Sequence, residues 1–161
     1  GIGGLDSGSD KIHTEMLFED EIILITPNTA KYRNMNGKFP VEQMRKEWFI
    51  TRELGSGTKN VSENIEQALK LDTTSLHVAA QFESSEMVRR AVEAGAGIAF
   101  ISKTAAKESL DKQKVLEFSF GGVNTKRKMY LMYHKERRLG EAAEQMIGTL
   151  KDYCVEKYSI I

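Results

Sequence analysis

The stretch from Trp48 to Leu69, WFITRELGSGTKNVSENIEQAL, leaves little freedom in how it folds. A short apolar run, Trp48 to Ile50, ends in the charged pair Arg52-Glu53. Gly55-Ser56-Gly57-Thr58 follows, and after it Val61, Ile65, Ala68 and Leu69 recur at helical spacing. This order predicts a strand, a glycine turn and a helix over about 59–71. Glycines permit positive φ and close backbone approach. A helix start presents N–H groups without intrahelical partners, together with the positive end of the helix dipole. Ser56 and Thr58 add hydroxyls. Such a turn suits a small anion or a carboxylate. It would also serve as a plain capped junction that binds nothing, with Ser56 or Thr58 as the N-cap.

Neither common nucleotide motif fits. A P-loop carries Lys directly after its last glycine and a longer glycine spacing. Here Thr58 follows Gly57 and Lys59 comes after it. A dinucleotide turn reads G-x-G-x-x-G, but the residue three beyond Gly57 is Asn60.

The rest of the chain alternates strands with helices. Ile22 to Ile25 is a continuous apolar run inside a strand from Met16 to Thr26, the pattern of a strand buried on both faces. Pro27-Asn28 breaks it, and residues 28–39 read as a polar surface loop. Pro40 fits the first position of a short helix through Glu47. Leu76 to Phe82 reads as a second strand, followed by Ser84-Ser85 as an N-cap pair. The helix that follows ends at Gly95. Gly97 to Ser102 reads as a short buried strand, Lys103 to Leu110 as a helix, Val115 to Phe118 as a strand or edge, and Lys128 to His134 as a strand. From Leu139 onward Ala142, Ala143, Met146, Ile147 and Leu150 predict a long amphipathic helix ending before Ile160. The alternation predicts an α/β fold with a mainly parallel sheet. Ligands in such folds sit at the carboxyl ends of strands. Two loops lie at such ends, Arg52 to Thr58 and Phe82 to Ser85, and both lead into helix N-termini.

Composition excludes several functions. With 161 residues the chain holds one domain or two small lobes, and 40% hydrophobic with 29% charged residues fits a globular protein. Lys+Arg and Asp+Glu balance to zero net charge, so there is no electrostatic footprint for nucleic acid. Cys154 is the single cysteine, which rules out an internal disulfide and favours a cytoplasmic setting. No apolar stretch is long enough to span a membrane, and nothing at the start reads as a signal peptide. His13, His77 and His134 have no metal-ligand spacing, so no metal is expected. Ser56 lacks the G-x-S-x-G pattern of a nucleophile elbow, and no activated nucleophile or acid/base pair is visible, so neither catalysis nor a cofactor is expected. Glu83 could repel an anion or accept a hydrogen bond from a ligand. Glu86 reads as half of a capping box begun by Glu83 or Ser84. Lys126-Arg127-Lys128 reads as a solvated edge, and Met16, Met129, Met132 and Met146 as core.

The order of segments resembles the effector-binding domain of LysR-type transcriptional regulators. Four stretches carry it: FEDEIILITPN from Phe18 to Asn28, WFITRELGSGT from Trp48 to Thr58, FESSEMVRRAVEAGAGIAFIS from Phe82 to Ser102, and MYLMYHKERRLGEAAEQMIGTL from Met129 to Leu150. The resemblance covers nearly the whole chain. It implies two α/β lobes joined by crossing strands, like type 2 periplasmic binding proteins. Residues 1–26 and 127–161 would belong to the first lobe and residues 27–126 to the second. The opening GIGGLD resembles what remains when the N-terminal helix-turn-helix, the linker helix and the first β-α units are cut away. The second lobe is then expected to be complete and the first partial, with DNA contact confined to the absent helix-turn-helix domain.

The resemblance implies a regulatory domain that binds a small anionic metabolite in the interlobe cleft, without catalysis. The expected effector-binding residues are Arg52, Glu53, Gly55, Ser56, Gly57, Thr58, Phe82, Glu83 and Ser84. The R-E-x-G-S-G-T turn is similar to members that sense carboxylates, sulfate-like anions or phosphate esters. The parent is expected to form a dimer or tetramer, pairing effector domains side by side. Residues 16–25 and the C-terminal helix are expected to show apolar faces that self-association or a longer chain would cover. The alternative is a solute-binding protein of a transport system with the same architecture.

Overall fold

The computed structural model describes residues 1–4, 8–72 and 76–158. The chain divides into two compact units, residues 1–20 with 127–161 and residues 21–126. The boundaries fall between Asp20 and Glu21 and between Lys126 and Arg127.

The larger unit is organised by β2 (Ile12–Pro27), which follows the short β1 (Ile2–Gly3). Residues 22–25 of β2 pair antiparallel with β5 (Ala99–Ser102), and residues 24–27 pair antiparallel with β6 (Val115–Phe118). This segment is therefore hydrogen-bonded along both edges. It is also buried on both faces, with Ile22, Ile23, Leu24 and Ile25 at 1% exposure or less. Successive side chains of a strand point to opposite faces. Ile22 and Leu24 enter one core with Phe49, Ile65, Ile98 and Phe100, while Ile23 and Ile25 enter another with Ile50, Val88, Val92 and Ile101. That explains why the run is apolar without alternation.

A second sheet pairs β3 (Trp48–Arg52) with β4 (His77–Phe82) in parallel. On its other side β3 meets Ile98, with Ile98 N–H donating to the Trp48 carbonyl at 2.8 Å and Ile50 N–H to the Ile98 carbonyl at 2.8 Å. One face of this assembly is covered by α3 (Gly57–Ala68), whose Ile65 lies in the first core. The other is covered by α4 (Ser85–Glu93) and α5 (Lys103–Asp111). Among the described residues the parallel pairing is confined to β3 with β4 and the bridge at Ile98. Strand β2 runs antiparallel to both of its partners in this unit, so the expectation of a mainly parallel sheet fails. The spacing of apolar runs reports that strands exist but carries no direction for a strand that returns from the other unit.

Residues 28–39 are not a surface loop. They contain α1 (Ala30–Arg33), and Tyr32 and Phe39 are buried in the first core. The Tyr32 hydroxyl donates to Glu47 at 2.9 Å, and Lys31 and Gln43 also reach that carboxylate. These partners hold the Glu47 carboxyl below its ordinary range against the opposing effect of burial. The next helix is only α2 (Val41–Met44), and Pro40 is its N-cap rather than its first residue.

In the smaller unit β1 pairs antiparallel with β7 (Lys126–His134), which neighbours β2. Leu17, Leu131 and Cys154 form its core, with Cys154 contributed by α6 (Glu141–Tyr158). Phe18 and Tyr158 stack at 4.4 Å. Arg127 is no solvated edge residue: it holds the buried Asp20 at 2.8 Å. Met16 and Met146 are exposed, not core. The expected apolar exposure is also divided. Ile22 to Ile25 are fully covered, whereas Met146, Tyr153 and Val155 of α6 remain exposed. Within this unit an apolar groove of about 370 Å³ runs between Leu131, Tyr133, Met146 and Leu150. The expected helix end before Ile160 lies outside the described residues.

Gly97 permits the close approach of β3 and the segment leading into β5. A Cβ there would stand 2.3 Å from the Trp48 carbonyl oxygen, a backbone atom that cannot move aside. Gly97→Ala should destabilise the protein by about 1–3 kcal/mol or more, the scale of overpacking. A urea unfolding curve should show a lower midpoint at unchanged slope.

Candidate functional site

Because β3 and β4 are parallel neighbours, with Arg52 opposite Phe82, their carboxyl ends emerge side by side. The loops 52–58 and 82–85 are thereby brought together, as ligand loops are at the strand ends of α/β sheets. The Glu53 N–H donates to the Phe82 carbonyl at 3.3 Å. Gly55 adopts φ +84°, the left-handed conformation that turns the chain back toward the helix.

Arg52 ties the loops. Its Nη1 donates to Ser85 Oγ at 2.7 Å and its Nη2 to the Glu83 carbonyl at 3.0 Å. Its Nε and Nη2 also grip both oxygens of Glu53 at 2.8 Å. The Arg52 hydrogen bonds hold the Glu53 carboxyl below its ordinary range. The guanidinium is thus largely engaged within the protein, and its charge is matched by its neighbour.

Helix α3 opens at Gly57, ahead of the expected start near Lys59, and ends at Ala68 rather than near Leu71. Ser56 is the N-cap, its Oγ accepting from the Lys59 N–H at 3.1 Å. Gly57 and Thr58 open the helix, and Thr58 is buried. No acidic residue stands in the first turn of α3. The start of α4 differs. Ser84 occupies the N-cap position, but its side chain makes no cap hydrogen bond, and Ser85 Oγ is engaged by Arg52. Glu86 does not complete a capping box. It pairs with Arg89 and Arg90 at 2.6 Å, and those hydrogen bonds hold its carboxyl low. The two helix starts are neighbours, but only that of α3 lacks a carboxylate of its own. A helix N-terminus favours negative charge, so the α3 start is the place where an anion meets least competition.

Beneath this turn is a small cavity of about 10 Å³, lined by Thr51, Arg52, Thr58, Lys59, Ser62 and Glu66 with Phe49, Ile50 and Phe100. Thr58, Ser62 and Glu66 are spaced by four and form a buried polar stripe on α3. Sequence reasoning missed Thr51, Ser62 and Glu66. The signal was the recurrence of Thr58, Ser62 and Glu66 beside the apolar stripe of Val61 and Ile65. Among the described residues no cluster of three or more His, Cys, Asp or Glu could hold a metal ion. No helix among them is long and apolar enough to cross a membrane.

A two-unit α/β chain with paired strand-end loops has the architecture of a periplasmic-binding-protein-like fold. The family model for the LysR substrate binding domain matches residues 1–155, and the chain belongs to that family. Among curated relatives, it is 25% identical over 146 residues to "Uncharacterized HTH-type transcriptional regulator YeiE" of Escherichia coli K12, covering 91% of this chain and 47% of that protein. It is 28% identical over 126 residues to a "Probable RuBisCO transcriptional regulator" of Nostoc, covering 78% of this chain and 37% of that protein. The chain thus spans about half the length of the curated relatives it matches. Among solved structures, the Synechocystis PCC6803 CcmR regulatory domain in complex with 2-PG superposes with TM-score 0.76 at 17% identity, covering 97% of this chain and 73% of that one. The effector binding domain of QuiR in complex with shikimate superposes with TM-score 0.75 at 14% identity, covering 98% and 72%. The family is one of transcriptional regulators, not enzymes.

Arg52→Ala should unfasten the two loops. The amide of Glu53 should exchange with solvent roughly tenfold faster or more, since a charged hydrogen-bond donor is lost. Arg52→Lys should restore little, because an ammonium cannot span Glu53, Ser85 and the Glu83 carbonyl together.

Proposed function

We propose that this chain is the ligand-sensing domain of a LysR-type transcription regulator and binds a small anionic metabolite at the start of α3. The observation that carries the reading is the contrast between the two helix starts. That of α4 has its own carboxylate in Glu86, and that of α3 has none. Ser56, Gly57 and Thr58 form the seat, Gly55 provides the turn, and Arg52 and Glu53 hold it against Phe82, Glu83 and Ser84. The relatives named as regulators support the regulatory role, and the neighbour bound to 2-PG supports a small ligand. In this reading residues 27–126 are the second lobe of a two-lobed effector domain. DNA contact belongs to a helix-turn-helix region of the full-length regulator, which acts in the cytoplasm as a dimer or tetramer.

Calorimetric titration of the chain with sulfate and with 2-PG should give saturable binding that weakens as salt rises. Thr58→Ala should weaken binding by about 1 kcal/mol if the hydroxyl meets a neutral ligand group, and by more if it meets a charged one. Preference for an uncharged polyol over both anions would refute the anionic assignment.

A further inference from the structure

Glu66 is not explained by the seat or by the fold. It is buried at 3% exposure on the third turn of α3. Its Oε2 has no hydrogen-bond partner within the protein, and it is the one such buried side-chain atom among the described residues. Burial of this kind costs free energy unless the group is neutral or finds a partner. The residue lines the same small cavity as Thr58, Arg52 and Ser62. At about 10 Å³ that space has room for a single water, and its lining supplies the polar partners that a buried water requires.

We propose that Glu66 is a specificity-determining residue of the anion seat, a carboxylic acid held neutral in the buried cavity behind a ligand at Ser56–Thr58. This deepens the reading above and rests on it. An ionised Glu66 would instead place a second negative charge behind the seat. Anion binding is therefore coupled to proton uptake by Glu66.

The surroundings favour the neutral acid. Burial pushes the Glu66 carboxyl above its ordinary range, Lys59 opposes that shift, and Glu63 adds to it. Lys59 is itself shared with Glu63 at 3.6 Å. From β3 the charged group facing the cavity is Arg52, already bound to Glu53. From β5 the cavity is faced by Phe100, and Ala99–Ser102 contains no ionisable side chain.

The sign follows from these groups. Below its raised pKa Glu66 is protonated and supports the anion. As pH rises through that pKa the proton is lost and anion affinity falls.

Sulfate is the probe, because its charge is constant over the range. Its affinity for the full chain should fall roughly tenfold as pH rises through the Glu66 titration, the cost of a second poorly screened negative charge behind the anion. Glu66→Gln keeps a donor without a titrating proton, so its affinity should stay high and nearly flat. Unaltered protein, titrated in buffers of different ionisation enthalpy at the upper end of the range, should take up a fraction of a proton per sulfate. That measurement needs no variant to fold. PH-independent binding, an equal slope in Glu66→Gln, or zero proton uptake would overturn the role of Glu66. In those cases loss of sulfate binding in Thr58→Ala would still leave the seat standing. If no form binds sulfate at any pH, the seat and the role of Glu66 both fall.

Discussion

Residues 22–25 of β2 are enclosed in every direction: β5 along one edge, β6 along the other, and a separate apolar core on each face. Everything else in the larger unit takes its position from that strand. The two-residue repeat of a strand sends Ile22 and Leu24 to the α3 side and Ile23 and Ile25 to the α4 and α5 side. Shifting the register by one residue would exchange the two sets. Each core is matched to its own helices, so that exchange is resisted on both sides at once. Four aliphatic side chains fully removed from water contribute on the order of 6–12 kcal/mol before the cost of ordering the chain.

The geometry of the paired loops is a consequence of this sheet. Strand β3 is held between β4 and the segment at Ile98, with Gly97 allowing the backbones to meet. That places the ends of β3 and β4 together, and Arg52 closes the junction by reaching Ser85 and the Glu83 carbonyl. Arg52 thus gives up most of its capacity as a ligand for anions in order to define the loops. The positive potential left to the site comes from backbone dipoles at the start of α3. Such dipoles are oriented by the helix and need little reorganisation when a charge approaches.

Beneath the seat, the stripe of Thr58, Ser62 and Glu66 makes the buried face of α3 partly polar. A helix packed on a sheet has no need of a carboxyl there, and an apolar residue of similar volume would fill the space without the desolvation cost. Such a departure from local consistency is what functional sites are expected to show. The ion-paired Arg89 on α4 offers a contrast. It is equally buried, but Glu86, Glu93 and Ser109 surround it, so α4 is fastened to α5 rather than left open to a ligand.

Much of this was legible in the residues themselves. The strand, turn and helix from Trp48 onward, an N-cap at Ser56 or Thr58 and the order of later elements follow from period, propensity and capping chemistry, all of which act over a few residues. The buried run at Ile22 to Ile25 was legible for the same reason. Other features depended on contacts between distant residues. Strand direction, the burial of Tyr32 and Phe39 against Glu47, and the pairing of Arg127 with Asp20 join residues that local patterns treat independently. So do the engagement of Arg52 with Ser85 and the isolation of the Glu66 oxygen. A sequence by itself determines which segments can be helix or strand and which turns can present N–H groups, because those are local free energies. Whether a charge is paired, buried or left facing a cavity was decided only by the tertiary structure, because it depends on what the rest of the chain brings within hydrogen-bond reach.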